Sequence, residues 1–120
     1  MIELEGEDAK LVVLARAARA RAYVPYGQGR VEGAAVRDTD GRTYTAATVE
    51  HADPALTTSA LRGAFAAAAS SGARAFEAAV VVSDVAVTCA EDIAILREFG
   101  AGVPVHLADP SGDVVSTQAT

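Results

Sequence analysis

The chain alternates between segments in which apolar residues recur at helical spacing and shorter segments that are apolar almost throughout. Over 7–22, apolar positions fall on one side and arginines mostly on the other, as in a helix with one buried face. Helical spacing or alanine-rich composition predicts helices over 7–22, 56–70 and 90–99. Runs of β-prone residues predict strands over 31–38, 42–50, 77–84, 103–108 and 113–117.

The predicted elements follow the order α-β-β-α-β-α-β-β, which favours a sheet covered by helices on both faces. The sequence TDG at 39–41 separates the first two strands and is typical of a hairpin turn. Residues 78–82 are all apolar, as in a strand buried on both faces, so we expect 77–83 to be the central strand. The fold class predicted is α/β: one domain over 1–120, with three α/β/α layers and a five-stranded mixed sheet.

Composition narrows the range of partners. The chain has 120 residues, 51% of them hydrophobic, and a formal net charge of -6. An acidic protein lacks the cations that replace counterions on phosphates, so we expect no nucleic-acid partner. No apolar run is long enough to span a membrane, the acidic N-terminus does not resemble a secretory signal, and one cysteine allows no internal disulfide. We therefore expect a soluble cytoplasmic protein without a membrane partner.

Short sequences spread over 8–113 occur in an order and spacing that resemble the small homo-oligomeric cytidine deaminases. These sequences are AYVPY at 22–26, EGAAV at 32–36, the DGR turn at 40–42, TVEHA at 48–52, LTTSALR at 56–62, VVSD at 81–84, LREFG at 96–100 and VHLADPSG at 105–112. The resemblance implies the cytidine deaminase fold. It also implies a homo-oligomer, a tetramer first and a dimer second.

In that family, three cysteines at the starts of two helices hold zinc, and a glutamate moves protons between a zinc-bound water and the pyrimidine. Thiolates bind zinc in a tetrahedron with one open position, and the metal lowers the pKa of its bound water towards 7. A carboxylate beside that water then serves as general acid and base. The resemblance therefore implies a hydrolase of the cytidine deaminase type in which zinc is the cofactor.

This chain departs from the family at most of those positions. The first zinc cysteine corresponds to Ser59 and the catalytic glutamate to Leu61. The proline of the second motif corresponds to Thr88, the next cysteine is kept as Cys89, and the last corresponds to Asp92. A serine hydroxyl stays protonated near neutral pH, and a leucine cannot move a proton. We therefore predict a degenerate member with no catalytic residue, no bound metal and no cofactor.

The nucleoside-binding positions are also altered. Where the family places a phenylalanine that stacks on the base, this chain reads GQGR at 27–30, with no aromatic residue and one extra residue. Thr48 stands where the family has a sugar-binding asparagine, and Glu50 matches its sugar-binding glutamate. Thr48 and Glu50 are thus the candidate substrate-binding residues; Glu50 also fits a plain solvated residue at a strand end.

Two functions follow from these positions. The first is a binding module without deaminase activity, whose altered pocket binds a nucleoside-like small molecule or a protein partner. The alternative is an active nucleoside aminohydrolase with zinc in an irregular site made of Cys89, Asp92 and His51. A nucleophilic Cys89 is a weaker third option, because no motif places a histidine near it.

The first reading also makes geometric predictions. The two helix starts should bring together Ser59, Leu61, Cys89 and Asp92. Leu61 should fill the space that water and pyrimidine occupy in active relatives, leaving it dry. The Asp92 carboxylate should be held by backbone N–H groups at the start of its own helix.

Overall fold

The computed structural model describes residues 3–4 and 6–120 and contains the predicted elements in the predicted order. The three helices are α1 Gly6–Arg19, α2 Ala60–Ser70 and α3 Ala90–Leu96. The five strands are β1 Glu32–Asp38, β2 Thr43–Ala47, β3 Phe76–Ser83, β4 Pro104–Ala108 and β5 Val114–Ala119. Single 3-10 turns cover Pro54–Leu56 and Arg97–Phe99. None of the helices formed by the described residues has the length and apolarity needed to cross a membrane.

The sheet has the order β2-β1-β3-β4-β5, which confirms the prediction that the apolar run at 77–83 is the central strand. Strand β3 pairs with β4 in parallel and with β1 in antiparallel orientation, so the sheet is mixed as expected. The two outer pairs are antiparallel. Because β3 is covered on both faces, its residues after the exposed Glu77 are all buried.

Helices cover both faces of the sheet, which confirms the three-layer architecture. Helix α1 packs on one face, where its buried Leu11 and Ala15 meet the even-numbered apolar positions of β3, such as Val80. Helices α2 and α3 pack on the other face, where Leu61 and Ile93 join the same cluster as Val81. Alternation along the strand thus divides its side chains between two cores.

Several element boundaries differ from the sequence prediction. The helix predicted over 56–70 begins only at Ala60, because Ser59 caps it and the preceding Thr58 forms an isolated β-bridge with Val49. Strand β2 likewise ends at Ala47 rather than at 50. Beyond Ala47 the chain no longer pairs with β1, and Val49 instead forms two isolated β-bridges. One of them, between Tyr23 and Val49, follows the end of α1.

Gly33 of β1 allows α1 to lie close to the sheet. A Cβ atom at this position would overlap the backbone of α1, at the Ala15 carbonyl oxygen and the Arg19 N–H. Only glycine therefore permits this distance between helix and strand. Within the EGAAV sequence, Gly33 is thus needed for the packing of α1 on the sheet. Glu32, the first residue of the same sequence, lines the cavity described below.

Candidate functional site

The starts of α2 and α3 lie side by side and are joined by a hydrogen bond. Ser59 is the N-cap of α2, and its Oγ accepts a hydrogen bond from the Arg62 backbone N–H at 3.2 Å. The same hydroxyl donates to Oδ1 of Asp92, in the first turn of α3, at 2.9 Å. The Ser59 hydroxyl therefore acts as an acceptor within α2 and as a donor to α3, the two hydrogen-bonding roles that a hydroxyl offers.

A cavity of about 230 Å³ opens beside this pair. It is called the larger cavity here because a smaller one adjoins it; another cavity, of about 380 Å³, lies apart from both, between α1 and the turn before β5. The lining of the larger cavity contains Arg30, Glu32, Thr48, Pro54, Thr57, Ser59, Arg62, Cys89, Glu91 and Asp92. Three of the four residues predicted to lie together, Ser59, Cys89 and Asp92, do share this lining. Most of the lining residues are polar or charged, Leu61 is not among them, and the space is open, so the prediction that Leu61 fills it is wrong. That the space is dry stays a prediction.

Leu61 does not fill the larger cavity. Its side chain is 1% exposed and belongs to the core between α2, α3 and the sheet. It shares the inward face of α2 with Ala64 and Ala68, because these positions are three and four residues apart. An apolar side chain gains more from burial in that core than from lining a polar cavity. Leu61 offers no group that could transfer a proton.

The residues present do not fit a zinc ion. The Ser59 hydroxyl is already engaged as a cap and as a donor to Asp92. Among residues 3–4 and 6–120, no three His, Cys, Asp or Glu side chains lie together in a way that could hold a metal. Cys89 and Asp92 are on the same cavity wall, but a structural or catalytic zinc site needs at least three protein ligands.

The structure does not bring His51 to Cys89 and Asp92. His51 is exposed, and its Nδ1 accepts a hydrogen bond from the Asp53 backbone N–H at 2.9 Å. It lines a second, smaller cavity of about 130 Å³, together with Gln28, Gly29, Glu50, Pro54 and Thr57. The two cavities share Pro54 and Thr57 but no histidine.

Glu50 is buried at the smaller cavity and holds the loop that precedes β1. Its carboxylate accepts hydrogen bonds from the backbone N–H groups of Tyr26 at 2.6 Å, Gln28 at 2.8 Å and Gly29 at 2.6 Å. Burial by itself raises the pKa of Glu50, but these N–H groups outweigh it and leave the pKa below its usual value. The plain reading of Glu50 as a solvated strand-end residue is therefore wrong.

Thr48 lines the larger cavity, but its hydroxyl also belongs to the fold. The residue is buried, and its Oγ1 accepts a hydrogen bond from the Glu32 backbone N–H at 3.1 Å. It donates in turn to the Glu32 carbonyl oxygen at 3.4 Å. Thr48 therefore fixes the first residue of β1 at the cavity wall. A role of Thr48 and Glu50 in binding a substrate stays a prediction.

Asp92 is held differently from the expectation. Its carboxylate accepts from the Ser59 hydroxyl, on the neighbouring helix, rather than from backbone N–H groups of α3. The N-cap of α3 is Cys89, whose side chain makes no capping hydrogen bond. Burial raises the pKa of Asp92 above its usual value, against the opposing effects of the Ser59 hydrogen bond and of Arg62.

Sequence reasoning missed two residues of the larger cavity, Glu32 and Arg30. Glu32 is 4% exposed, and Arg30 Nη1 lies 3.7 Å from its Oε2. Burial raises the pKa of Glu32; Ser83 and Arg30 oppose this shift, while the nearby Asp92 adds to it. The available signal was that Glu32 is the one charged residue in the EGAAV sequence that begins β1. The extra residue in the preceding loop obscured which positions face the pocket.

Fold and site together define a class of protein: a three-layer α/β/α domain whose cavity lies where two helices start on the same face of a mixed sheet. A family model described as cytidine deaminase-like matches residues 4–112. A cytidine deaminase of Sporosarcina psychrophila is 37% identical over 112 residues, covering 90% of this chain and 82% of that protein.

Solved structures of cytidine deaminases resemble this chain in fold. The crystal structure of cytidine deaminase from Burkholderia pseudomallei superposes with a TM-score of 0.84 at 30% identity, covering 96% of this chain and 93% of that one. Cytidine deaminase from Mycobacterium leprae gives a TM-score of 0.77 at 26% identity, covering 96% and 94%. This chain belongs to the cytidine deaminase-like family.

Proposed function

We propose that this protein binds a small molecule in the larger cavity and does not deaminate it. The observation that carries the proposal is the position of Leu61. At the place where the family resemblance implies the proton-shuttling glutamate, the chain has a leucine packed in the core. Loss of a general acid and base, together with loss of an activated water, removes several kcal/mol of transition-state stabilisation.

The hydrogen bond between Ser59 and Asp92 supports the same reading. It joins the two helix starts through protein atoms alone, at two positions where the family resemblance implies zinc ligands. This contact supports a site that is held together without a metal, and the polar residues of the cavity wall remain available to a ligand. A nucleoside-like molecule is the class that the family suggests, although the loop at 27–30 provides no ring to stack on a base.

A second candidate function is deamination itself, because the relatives compared above are named cytidine deaminase. It requires an irregular site with Cys89 and Asp92 as ligands and zinc as cofactor. One experiment separates the two. Protein purified without chelators is analysed for zinc by mass spectrometry, and the conversion of cytidine to uridine is followed at micromolar protein with added zinc.

The proposal predicts far less than one zinc per chain and no cytidine turnover above the protein-free rate. A Cys89→Ser variant should then behave as the unmodified protein does in both assays. Zinc near one per chain that disappears in Cys89→Ser, together with turnover that chelators abolish, would establish the second function and overturn the first.

The proposal includes a homo-oligomer, tetramer or dimer. Large apolar side chains are exposed near the cavities: Tyr23 by 56%, Val49 by 54% and Leu56 by 60%. Tyr23 and Val49 are bridged neighbours, so they form a continuous apolar surface that a second copy could cover. Light scattering should give a multiple of 12.2 kDa at micromolar concentration. A monomer would contradict this part of the proposal.

A matched pair of variants locates the interface. Val49→Lys introduces a charge at the apolar surface formed by Tyr23 and Val49 and should shift the oligomer towards monomer. Val115→Lys makes the same kind of change on β5, where the side chain is 49% exposed, and should leave the mass unchanged. Equal behaviour of the two variants would show that the contact lies elsewhere.

A further inference from the structure

In the loop before β1, backbone N–H groups converge on one side chain, the Glu50 carboxylate. Its Oε1 accepts from the Tyr26 N–H, and its Oε2 accepts from the N–H groups of Gln28 and Gly29. Gly27, which lies between them, has a φ of 70°, a conformation that glycine adopts at little cost. Backbone N–H groups that converge in this way form an anion-binding concavity. Here the anion that fills it is a side chain of the protein itself.

Glu50 is fixed in place by the backbone pairing of its own segment. Its N–H donates to the Tyr23 carbonyl oxygen at 2.7 Å, and the Tyr23 N–H donates to the Thr48 carbonyl oxygen at 2.9 Å. On the other side, Val49 and Thr58 exchange two backbone hydrogen bonds, each of 2.9 Å. Because Tyr23 follows α1 and Thr58 precedes α2, Glu50 is a fixed point to which the loop is attached.

Arg30 comes directly after the loop residues that Glu50 holds, and it lines the larger cavity. Its Nη1 donates to the Val87 carbonyl oxygen and lies 3.7 Å from Oε2 of Glu32. The side chain is 38% exposed, so it lies towards the solvent, at the mouth of the cavity. Val87 precedes Cys89 by two residues. Arg30 therefore connects the loop before β1 with the loop before α3.

We infer that Glu50 is a positioning residue for the larger cavity: by holding the loop before β1, it places the Arg30 guanidinium at the cavity mouth. Glu50 lines the smaller cavity but not the larger one, so it acts on the larger cavity through Arg30. A carboxylate offers about four acceptor positions, and three N–H groups already use Glu50, which leaves little capacity for a ligand. The importance of Arg30 rests on the proposed function, in which the larger cavity binds a small molecule.

Cys89 can report the charge at the wall of the larger cavity. It is the only cysteine of the chain, is partly exposed and shares the cavity lining with Arg30. Iodoacetate and iodoacetamide are similar in shape, but the first is anionic and the second is neutral. The ratio of their alkylation rates cancels the ionisation and the general accessibility of the thiol, so it measures the local charge. Mass spectrometry of the intact protein gives both rates.

The inference predicts the sign of the change in this ratio, iodoacetate over iodoacetamide. Arg30→Gln removes the cation and should lower the ratio by about threefold, as expected for one partly screened charge. Glu50→Gln should also lower the ratio, although it removes a negative charge, because Arg30 leaves the cavity mouth. The double variant should have the same ratio as Arg30→Gln alone. Glu98→Gln, at an exposed position outside the cavity lining, is the matched control and should leave the ratio unchanged.

Two results would overturn the inference. An unchanged or raised ratio in Glu50→Gln would show that Arg30 keeps its place without the carboxylate. An unchanged ratio in Arg30→Gln would show that Arg30 does not act at the cavity. If circular dichroism shows that Glu50→Gln does not fold, Glu50→Asp replaces it. This variant keeps the charge but shortens the side chain by one methylene, so it should also lower the ratio, and an unchanged ratio would refute the inference.

Amide resonances provide a second measurement, which needs no reaction at Cys89. The Thr88 nitrogen belongs to the same peptide group as the Val87 carbonyl that Arg30 binds, so loss of this bond should shift the Thr88 amide signal. Glu50→Gln should shift the signal in the same direction as Arg30→Gln, and Glu98→Gln should not shift it. A Thr88 signal that stays in place in Glu50→Gln would contradict the inference.

The outcomes distinguish this inference from the proposed function. Neither measurement involves a ligand, zinc or cytidine, so a lack of effect of Glu50→Gln would refute only the inference. Zinc in the purified protein together with cytidine turnover would contradict the proposed function whether or not Glu50 positions Arg30.

Discussion

The hydroxyl of Ser59 donates a hydrogen bond to the carboxylate of Asp92 across 2.9 Å, linking two helix starts that are 33 residues apart in the chain. By family resemblance, both positions correspond to zinc ligands. The hydrogen bond thus connects α2 and α3 without a metal. It also places a buried carboxylate at the floor of a polar cavity. The same pair therefore contributes a hydrogen bond to the fold and polar groups to the cavity wall.

Ser59→Ala tests how much the two hydrogen bonds of Ser59 contribute to stability. The variant loses the cap of α2 and the hydroxyl donor to Asp92, so we expect the free energy of unfolding to fall by about 1–3 kcal/mol. Urea denaturation followed by circular dichroism measures the change. Ser111→Ala removes an exposed serine hydroxyl from the turn before β5 and should alter stability by less than about 0.5 kcal/mol. Equal stability of the two variants would show that the Ser59 contacts contribute nothing.

Glu50→Gln should loosen the loop before β1 while leaving the sheet intact. The amide has one acceptor oxygen in place of two, and its NH₂ group faces the backbone N–H groups that the carboxylate accepts from. Faster hydrogen exchange at Tyr26, Gln28 and Gly29 and earlier proteolysis within 24–30 should result. Glu91→Gln, at an exposed position, is the control. Unchanged exchange in Glu50→Gln would mean that other contacts hold the loop.

The sequence predicted the architecture well because the strands and helices carry strong patterns. The run at 78–82 is apolar throughout, and the structure confirms 77–83 as the central strand with α1 on one face and α2 and α3 on the other. Boundaries were less predictable. Alanine-rich periodicity cannot reveal that Thr58 pairs with Val49, and this tertiary contact delays the start of α2.

The sequence predicted only part of the site. Matching motifs identifies which positions correspond to the family's site residues, but not where their side chains point in this fold. Ser59, Cys89 and Asp92 share a cavity as expected, whereas Leu61 turns into the core. Glu32 escaped notice because nothing in the order of residues shows that the first residue of β1 faces a pocket. Its burial depends on the packing of β1 against β3 and α2, which are distant from it in the sequence.

Asp8 should make the free energy of unfolding depend on pH in the acid range. Its carboxylate receives Arg37 at 2.8 Å and His106 at 3.0 Å. Burial by itself raises the pKa of Asp8, but these two partners lower it below its usual value of 3.8. A lowered folded-state pKa means that this contribution is complete above the unfolded-state pKa. It is lost as pH falls through the folded-state value.

Asp8→Asn measures that contribution. The variant should be less stable than the unmodified protein by about 1 kcal/mol at neutral pH, with allowance for solvent screening of a partly exposed group. The difference should shrink as pH falls below 3.8. Asp84→Asn, at an exposed position, should show no such convergence. Denaturant unfolding at several pH values gives both curves; a pH-independent difference for Asp8→Asn would contradict the assignment.

Restoring the family's zinc ligands tests whether the cavity has lost only its metal chemistry. Ser59→Cys with Asp92→Cys adds two thiolates to Cys89, and this double variant should bind about one zinc per chain, detectable by mass spectrometry. Adding Leu61→Glu supplies the missing carboxylate. It also places a charge where leucine is 1% exposed, so the triple variant should be less stable, and the double variant keeps the zinc measurement interpretable. The triple variant should still turn over cytidine slowly or not at all. The reason is that Gly29 offers no ring to stack on the base, Thr48 stands in place of the sugar-binding amide, and the Glu50 carboxylate already accepts hydrogen bonds from the loop. Efficient deamination by the triple variant would show that the pocket still fits cytidine, and the proposed binding function would lose its main support.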